Sequence, residues 1–271
     1  MIALTEKRGV QTQITESDAC VLSRQDGCVR VISLNRAHRL NAIDLTLLQD
    51  LNDALRDALD DPTVKVLVLR GEGRAFCAGD DLVEQLKGGT LTPQELKTFV
   101  DLLQQVTVQL MMGPKPVVGL VQGWAIGGGF SWTLNCDLTI WADTARAYLP
   151  EVGFGMFVSG GASFLLPRIM GRMSSFEMAL LSPKLSAQEL NELGIAWRVV
   201  PEESLYSAGL AVARKLAELP ENAAAQFKRL LLERDRKSIL NALEAESVAC
   251  INGASDPKTL DRIQSFLQAK A

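Results

Sequence analysis

The amino-acid sequence predicts an α/β protein, with a layered core over residues 1–201 and an all-helical C-terminal region over 202–271. Three observations predict it. Short β-rich runs alternate with helical patterns through the first part of the chain, which is the succession a layered α/β core produces. From about Glu202 the pattern becomes purely helical. At 271 residues, 47% hydrophobic and 22% charged, the chain can bury one large core and lacks the composition of a disordered segment.

Taken in order, Cys20 to Ser23 and Cys28 to Leu34 flank the turn signal Gln25-Asp26-Gly27 and read as a hairpin. Ile43, Leu47, Leu48, Leu51, Leu55 and Leu59 recur at helical spacing, with Asp44 as the N-cap and Asp61-Pro62 as the stop. Val64 to Leu69 is a buried strand. A helix over about Pro93 to Met112, a strand at Pro116 to Val121, a glycine-rich turn, a short helix and a strand near Asp137 to Ala142 follow. The helical region offers Leu205 to Leu219, Ala223 to Arg234, Ile239 to Ile251 and Pro257 to Ala269, either as a cap on the core or as a subunit contact.

Charge and composition exclude several functions. With 28 Lys plus Arg against 32 Asp plus Glu, the net charge of −4 disfavours a nucleic-acid-binding face. The single histidine, His38, cannot build a multi-histidine metal site and reads as a surface residue. Five cysteines form no Cys-x-x-Cys pair and read as reduced thiols, with Cys77 and Cys136 as buried apolar filler. No Walker loop is present, and Gly71-Glu-Gly73 lacks the third glycine of a dinucleotide fingerprint. The start, Met-Ile-Ala-Leu-Thr-Glu-Lys-Arg, has no secretory h-region. The most apolar stretch, Val117 to Trp132, is too short and too glycine-broken to span a bilayer as a helix. A cytoplasmic protein with no membrane anchor is expected.

Two turns can carry chemistry. Ala75-Phe76-Cys77-Ala78-Gly79-Asp80-Asp81-Leu82 follows the Val64 to Leu69 strand, and Gly123-Trp124-Ala125-Ile126-Gly127-Gly128-Gly129-Phe130 follows the next strand and opens a helix. Glycines there let a ligand approach the backbone and leave N–H groups aimed at it, so two such turns can converge on one oxyanion.

Asn35-Arg36-Ala37-His38-Arg39-Leu40-Asn41-Ala42, Arg74 to Leu82, Ala125 to Gly129 and Tyr148-Leu149-Pro150-Glu151-Val152-Gly153-Phe154-Gly155 resemble, in order and spacing, the successive motifs of the crotonase (enoyl-CoA hydratase/isomerase) family. The resemblance implies a spiral core of repeated ββα units, and a C-terminal helical region that helps form homotrimers and hexamers made as dimers of trimers. It also implies an acyl-CoA thioester whose carbonyl is held by the backbone N–H groups of Asp80 and Gly128, with coenzyme A entering as part of the substrate and no separate cofactor or metal. Arg39 falls in the segment bordering the nucleotide end of CoA, and Ala42 and Ala78 would offer backbone groups to the adenine. Asp81 and Leu82 close the same binding motif.

An enolate oxygen is stabilised by preorganised donors, each worth on the order of 3 kcal/mol in other enzymes. A carboxylate beside it would repel it, so the Asp80 side chain is expected to point away. By the resemblance, Glu151 is the proton-transferring carboxylate. The second glutamate of the family's hydratases falls on Ser131, which reads either as a helix residue bonded to the preceding turn or as a group that positions water. Some relatives instead carry an aspartate where this chain has Ser159. One carboxylate can move a proton from carbon to carbon, so enoyl-CoA isomerisation leads and 2-enoyl-CoA hydration follows. Decarboxylation or C–C cleavage at the same enolate stays open, as does a non-catalytic acyl-CoA-binding scaffold. Glu151 has an ordinary alternative as a loop carboxylate paired with Arg146 or Arg168. Trp124, Phe130, Trp132 and Phe154 are candidates both for an acyl-pocket wall and for the core.

Overall fold

The computed structural model describes residues 19–87 and 92–269; the Met1 to Arg8 segment therefore lies outside the described residues. The expected hairpin is present as β1 (Val21–Asp26) and β2 (Val29–Leu34), antiparallel, with Gly27 at φ 59° taking the turn position that a side chain resists. The remaining strands are β3 (Val66–Gly71), β4 (Val117–Val121), β5 (Trp124–Ile126), β6 (Leu138–Ala142), β7 (Arg146–Tyr148), β8 (Leu185–Ser186) and β9 (Arg198–Val200). They build a six-stranded sheet, β1-β2-β3-β4-β6-β9, parallel from β2 onward, and a three-stranded sheet, β5-β7-β8. Strand β3 begins two residues later than expected because the Val64 amide turns back to the Asp61 carbonyl, so the ladder opens only opposite Val29.

Parallel strands read as continuous apolar runs because helices cover them. The Leu205–Ala217 helix lies on β3, β4 and β6, where Gly209 brings its backbone against Leu120. The Leu45–Asp60 helix starts as its sequence indicates, with the Asp44 carboxylate accepting from the Leu47 amide at 2.8 Å. The Pro93–Met112 helix opens with a reciprocal Thr92/Glu95 capping box and Pro93 in its first turn. Its apolar stripe buries Leu96, Phe99, Val100, Leu103, Val106 and Leu110.

Residues 143–201, to which no periodicity assigns an element, hold β7 and β8 of the second sheet, β9 of the first, and helices over Glu151–Phe154, Ala162–Met170, Arg172–Leu180 and Ala187–Glu192. Strands of two or three residues are too short for alternation to register. Helices over Glu221–Glu233, Arg236–Ala254 and Pro257–Gln268 complete the chain. Among the described residues, no helix is long and apolar enough to cross a membrane.

Candidate active site

The two glycine-containing turns are stitched together. Cys77 donates its amide to the Trp124 carbonyl at 3.0 Å and accepts from the Ile126 amide at 2.9 Å, which joins the turn after β3 to β5 as one more rung of parallel sheet. Backbone approaches this close need glycine. A Cβ on Gly129 would lie 2.5 Å from the Cys77 Cβ and 2.7 Å from its carbonyl oxygen. Gly129→Ala is therefore expected to lower stability by about 2 kcal/mol through overpacking, read as a drop in urea midpoint at constant slope.

A second clamp fixes the first turn. Asp81 is buried and bridges Arg39 at 2.9 Å and Arg36 at 3.2 Å, while accepting from the Glu84 amide at 3.1 Å. Burial works against its charge, but Arg39, the Glu84 amide and Arg36 hold the carboxyl below the usual range. Arg36 also reaches Asp44 at 2.8 Å and the Ala42 carbonyl. Asn41, at φ 56°, donates to the Glu72, Ala75 and Phe76 carbonyls and accepts from the Arg36 amide. The Asn35 to Ala42 motif is thus a brace under the Ala75 to Leu82 turn.

A cavity of about 240 Å³ opens above the two turns. Asp80, Gly128 and Glu151, three residues from three separate motifs, line it together. Gly128 is the first residue of the Gly128–Leu134 helix, so its N–H has no carbonyl of that helix to bond. Beside it, Gly127 adopts φ 54°, and a Cβ there would meet Glu151 Oε1 at 2.9 Å. Glu151 is buried at the start of the Glu151–Phe154 helix with Oε2 lacking any hydrogen-bond partner. Burial pushes its carboxyl up to about 8, and the nearby Asp80 charge adds to the rise, while its own backbone amide works the other way. Arg168 sits instead by Asp235 at 3.8 Å, and no ion pair to Glu151 forms among the described residues.

Asp80 departs from expectation. Its side chain does not point away: Oδ1 lies 3.7 Å from where a Gly128 Cβ would be, and its charge acts on Glu151. The Asp80 backbone is held in a bridge to Ile43, and the outward turn of Asp81 toward the arginines sends the neighbouring Asp80 side chain to the opposite, cavity side.

Apart from Ser159, the other sequence-derived residues lie outside the cavity lining. Arg39 is spent on Asp81, and the Ala42 amide and carbonyl bond within the chain, to Arg39 and Arg36. The Ala78 amide goes to the Leu40 carbonyl, and the Leu82 amide to the Asp80 carbonyl. Ser131 is fully buried against Gly160, and its Oγ makes no hydrogen bond, so the expected bond to the preceding turn is not made. Ser159 does line the cavity. Phe130 and Trp132 are core residues; Trp124 stacks edge-on to Tyr148, and Phe154 to Phe266. His38 is exposed, and burial pushes the Cys77 and Cys136 thiols up to about 12.

The apolar wall comes instead from Leu96, Phe99, Val100 and Leu103 of the Pro93–Met112 helix, and from Cys250, Leu260 and Ile263 of the last two helices. The signal for it was the apolar stripe itself, which looks the same whether it faces core or ligand.

Three residues from separate motifs of an α/β fold thus meet at one apolar cavity between two backbone turns. Residues 24–262 match the enoyl-CoA hydratase/isomerase family model, and the chain belongs to that family. Among curated relatives, it is 32% identical to 1,2-epoxyphenylacetyl-CoA isomerase of Escherichia coli (strain K12), over 83% of this chain and 87% of that protein. It is 31% identical to a probable enoyl-CoA hydratase of Mycobacterium leprae (strain TN), over 86% of this chain and 81% of that one. The crystal structure of an enoyl-CoA hydratase from Mycobacterium avium subsp. paratuberculosis K-10 superposes with TM-score 0.83 at 26% identity, covering 93% and 96% of the two chains.

Proposed function

We propose that the protein isomerises a 3-enoyl-CoA to the 2-enoyl-CoA, with Glu151 as the proton shuttle and the Asp80 and Gly128 amides holding the thioester oxygen. The observation that carries this reading is a buried Glu151 with one unpartnered oxygen, facing an apolar cavity beside the Gly128 amide. Its carboxylate takes a proton from C2, the C2–H electron pair delocalises onto the thioester oxygen, and two N–H donors stabilise the charge. The resulting carboxyl returns the same proton to C4 as the C3–C4 double bond moves to C2–C3. A carboxyl titrating near 8 is matched to this exchange, because a base near working pH both takes and returns a proton. Coenzyme A enters as part of the substrate, with no separate cofactor. Exposed apolar side chains at Met173, Phe176 and Leu181, and at Phe227, Leu230 and Leu231, are consistent with burial against further copies of the chain, which the proposal takes to be a homotrimer or a dimer of trimers.

A second reading is hydration of a 2-enoyl-CoA, favoured by the second carboxylate, Asp80, on the same cavity. Mass spectrometry after incubation with a 3-enoyl-CoA and, separately, a 2-enoyl-CoA in 18O-labelled water distinguishes them. Conversion of the 3-enoyl substrate without oxygen uptake is expected; rapid labelling of the 2-enoyl substrate would establish hydration instead.

The raised carboxyl also predicts a pH effect on stability. A group at 4.5 when unfolded and about 8 when folded binds more protons in the folded state across that window, so stability falls as pH rises from 4.5 to 8. At ~1.4 kcal/mol per unit, the burial cost is absent below the window and amounts to several kcal/mol above it. Glu151→Gln, which carries no charge, is expected to unfold at nearly the wild-type urea midpoint at pH 4.5 and at a clearly higher one at pH 9.

A further inference from the structure

The segment that follows Glu151 supports one step more, which rests on the proton-shuttle reading above. We infer that Glu246 is a positioning residue for the reaction: from the Arg236–Ala254 helix it holds residues 155–163, and through them fixes where Glu151 stands relative to the Gly128 amide.

Glu246 is buried, and among the described residues no cation pairs with it. A carboxylate buried without a counter-ion is costly unless hydrogen bonds replace its lost water. Three of those bonds come from one short segment. Oε2 accepts from the Gly161 amide at 2.8 Å, and Oε1 accepts from the Ser163 amide at 2.9 Å and the Ser163 hydroxyl at 2.6 Å. Burial pushes the carboxyl up, while the bonds from Ser163, Gly161 and Gln104 work the other way. The same helix clasps the segment at two further points. The Cys250 thiol donates to the Phe157 and Val158 carbonyls, and a Cβ on Gly253 would lie 2.7 Å from the Gly155 carbonyl oxygen. Positions 246, 250 and 253 fall at helical spacing on one side, so a single face makes all three contacts.

The segment in turn touches both halves of the site. At its start the Met156 amide donates to the Glu151 carbonyl at 2.9 Å. Toward its end the Gly160 carbonyl accepts from Asn135 Nδ2 at 2.8 Å, and a Cβ on Gly160 would meet the Ser131 Cβ at 2.8 Å. Ser131 belongs to the helix whose first residue is Gly128. Between these ties, Met156, Phe157 and Ser159 line the cavity. A segment released from Glu246 would let Glu151 drift and let water reach it. Drift slows proton transfer, since about 1 Å of misplacement can cost 100-fold. Water removes part of the burial that raises the Glu151 carboxyl. The titratable groups acting with Glu151 are Asp80, Tyr148 and Cys250, and the variants below change none of them.

The test is the pH profile of kcat for the full chain with a 3-enoyl-CoA. Glu246→Gln keeps the size of the side chain but turns one acceptor into an NH2 group that meets a donor. Its kcat is expected to fall by about 100-fold, and the rising limb of the profile to move about one unit toward lower pH. Gly253→Ala presses on the same segment from a second point and is expected to move the limb the same way, which keeps the test alive if Glu246→Gln does not fold. Leu55→Ala, a core truncation in the Leu45–Asp60 helix, is expected to lose stability and keep the wild-type limb. A limb unmoved in both loop variants, or moved equally in Leu55→Ala, would overturn the inference and leave the isomerase reading standing. Absence of turnover by the wild type would overturn that reading and the inference with it.

Discussion

Glu151→Gln is expected to lower turnover of a 3-enoyl-CoA by about 10³-fold, within the range general acid–base groups supply, while the affinity for the CoA thioester is kept. The substitution preserves the shape of the side chain and removes only the ability to take a proton. The described residues accommodate it: among them Glu151 makes no ion pair and Oε2 has no partner, and a neutral amide relieves a charge that burial already disfavours. Steady-state kinetics with direct binding measurements separate the cases. Loss of kcat at constant Kd matches the proposed role. Unchanged kcat would place the proton transfer on another group, with Asp80 the first to examine. The wild-type rate is also expected to rise with pH toward 8, since only the ionised carboxylate can start the reaction.

Asp81→Ala is expected to cost about 3 kcal/mol of stability, the low end of what removing one partner of a buried ion pair costs. Arg36 keeps Asp44 as a partner and Arg39 is part-exposed, which places the effect at that end. The activity consequence is indirect. The Asp81 amide bonds to the Ile43 carbonyl at 2.9 Å, and its carboxylate anchors the turn from which the Asp80 amide projects. A turn released at this point displaces a donor by a fraction of an ångström or more, enough to slow the chemistry. Urea unfolding together with kcat measures both. A variant of wild-type stability that loses CoA affinity would instead make Asp81 a ligand-binding residue.

The largest elements were legible in the sequence because they carry redundant signals. The Leu45–Asp60 helix has a cap, an apolar stripe and a proline stop, and the Pro93–Met112 helix has a capping box and a longer stripe. The second sheet was not legible, because β5, β7 and β8 are each three residues or fewer and are defined by pairing partners far along the chain. Of the site, the residues gave the convergence of the two glycine-containing turns, and the resemblance to the family added Glu151; Asp80, Gly128 and Glu151 all line one cavity. Side-chain directions were not legible: Asp80 turns into the cavity because Asp81 turns out of it, a consequence of the Arg36 and Arg39 clamp that no local pattern encodes. The cavity wall was missed because Leu260 and Ile263 belong to a C-terminal helix whose apolar spacing fits a core, an interface or a ligand pocket equally well.

The central claim is that one buried carboxylate carries the proton from C2 to C4 of the substrate. It is tested most directly with 3-hexenoyl-CoA carrying deuterium at C2, turned over in ordinary water and analysed by NMR for the position of the label. Because Glu151 is buried and Oε2 has no partner to exchange with, part of the deuterium is expected to appear at C4 of the 2-enoyl product. A product without deuterium at C4, formed at full wild-type rate, would contradict a single shielded carboxylate and require a second group or water to deliver the proton.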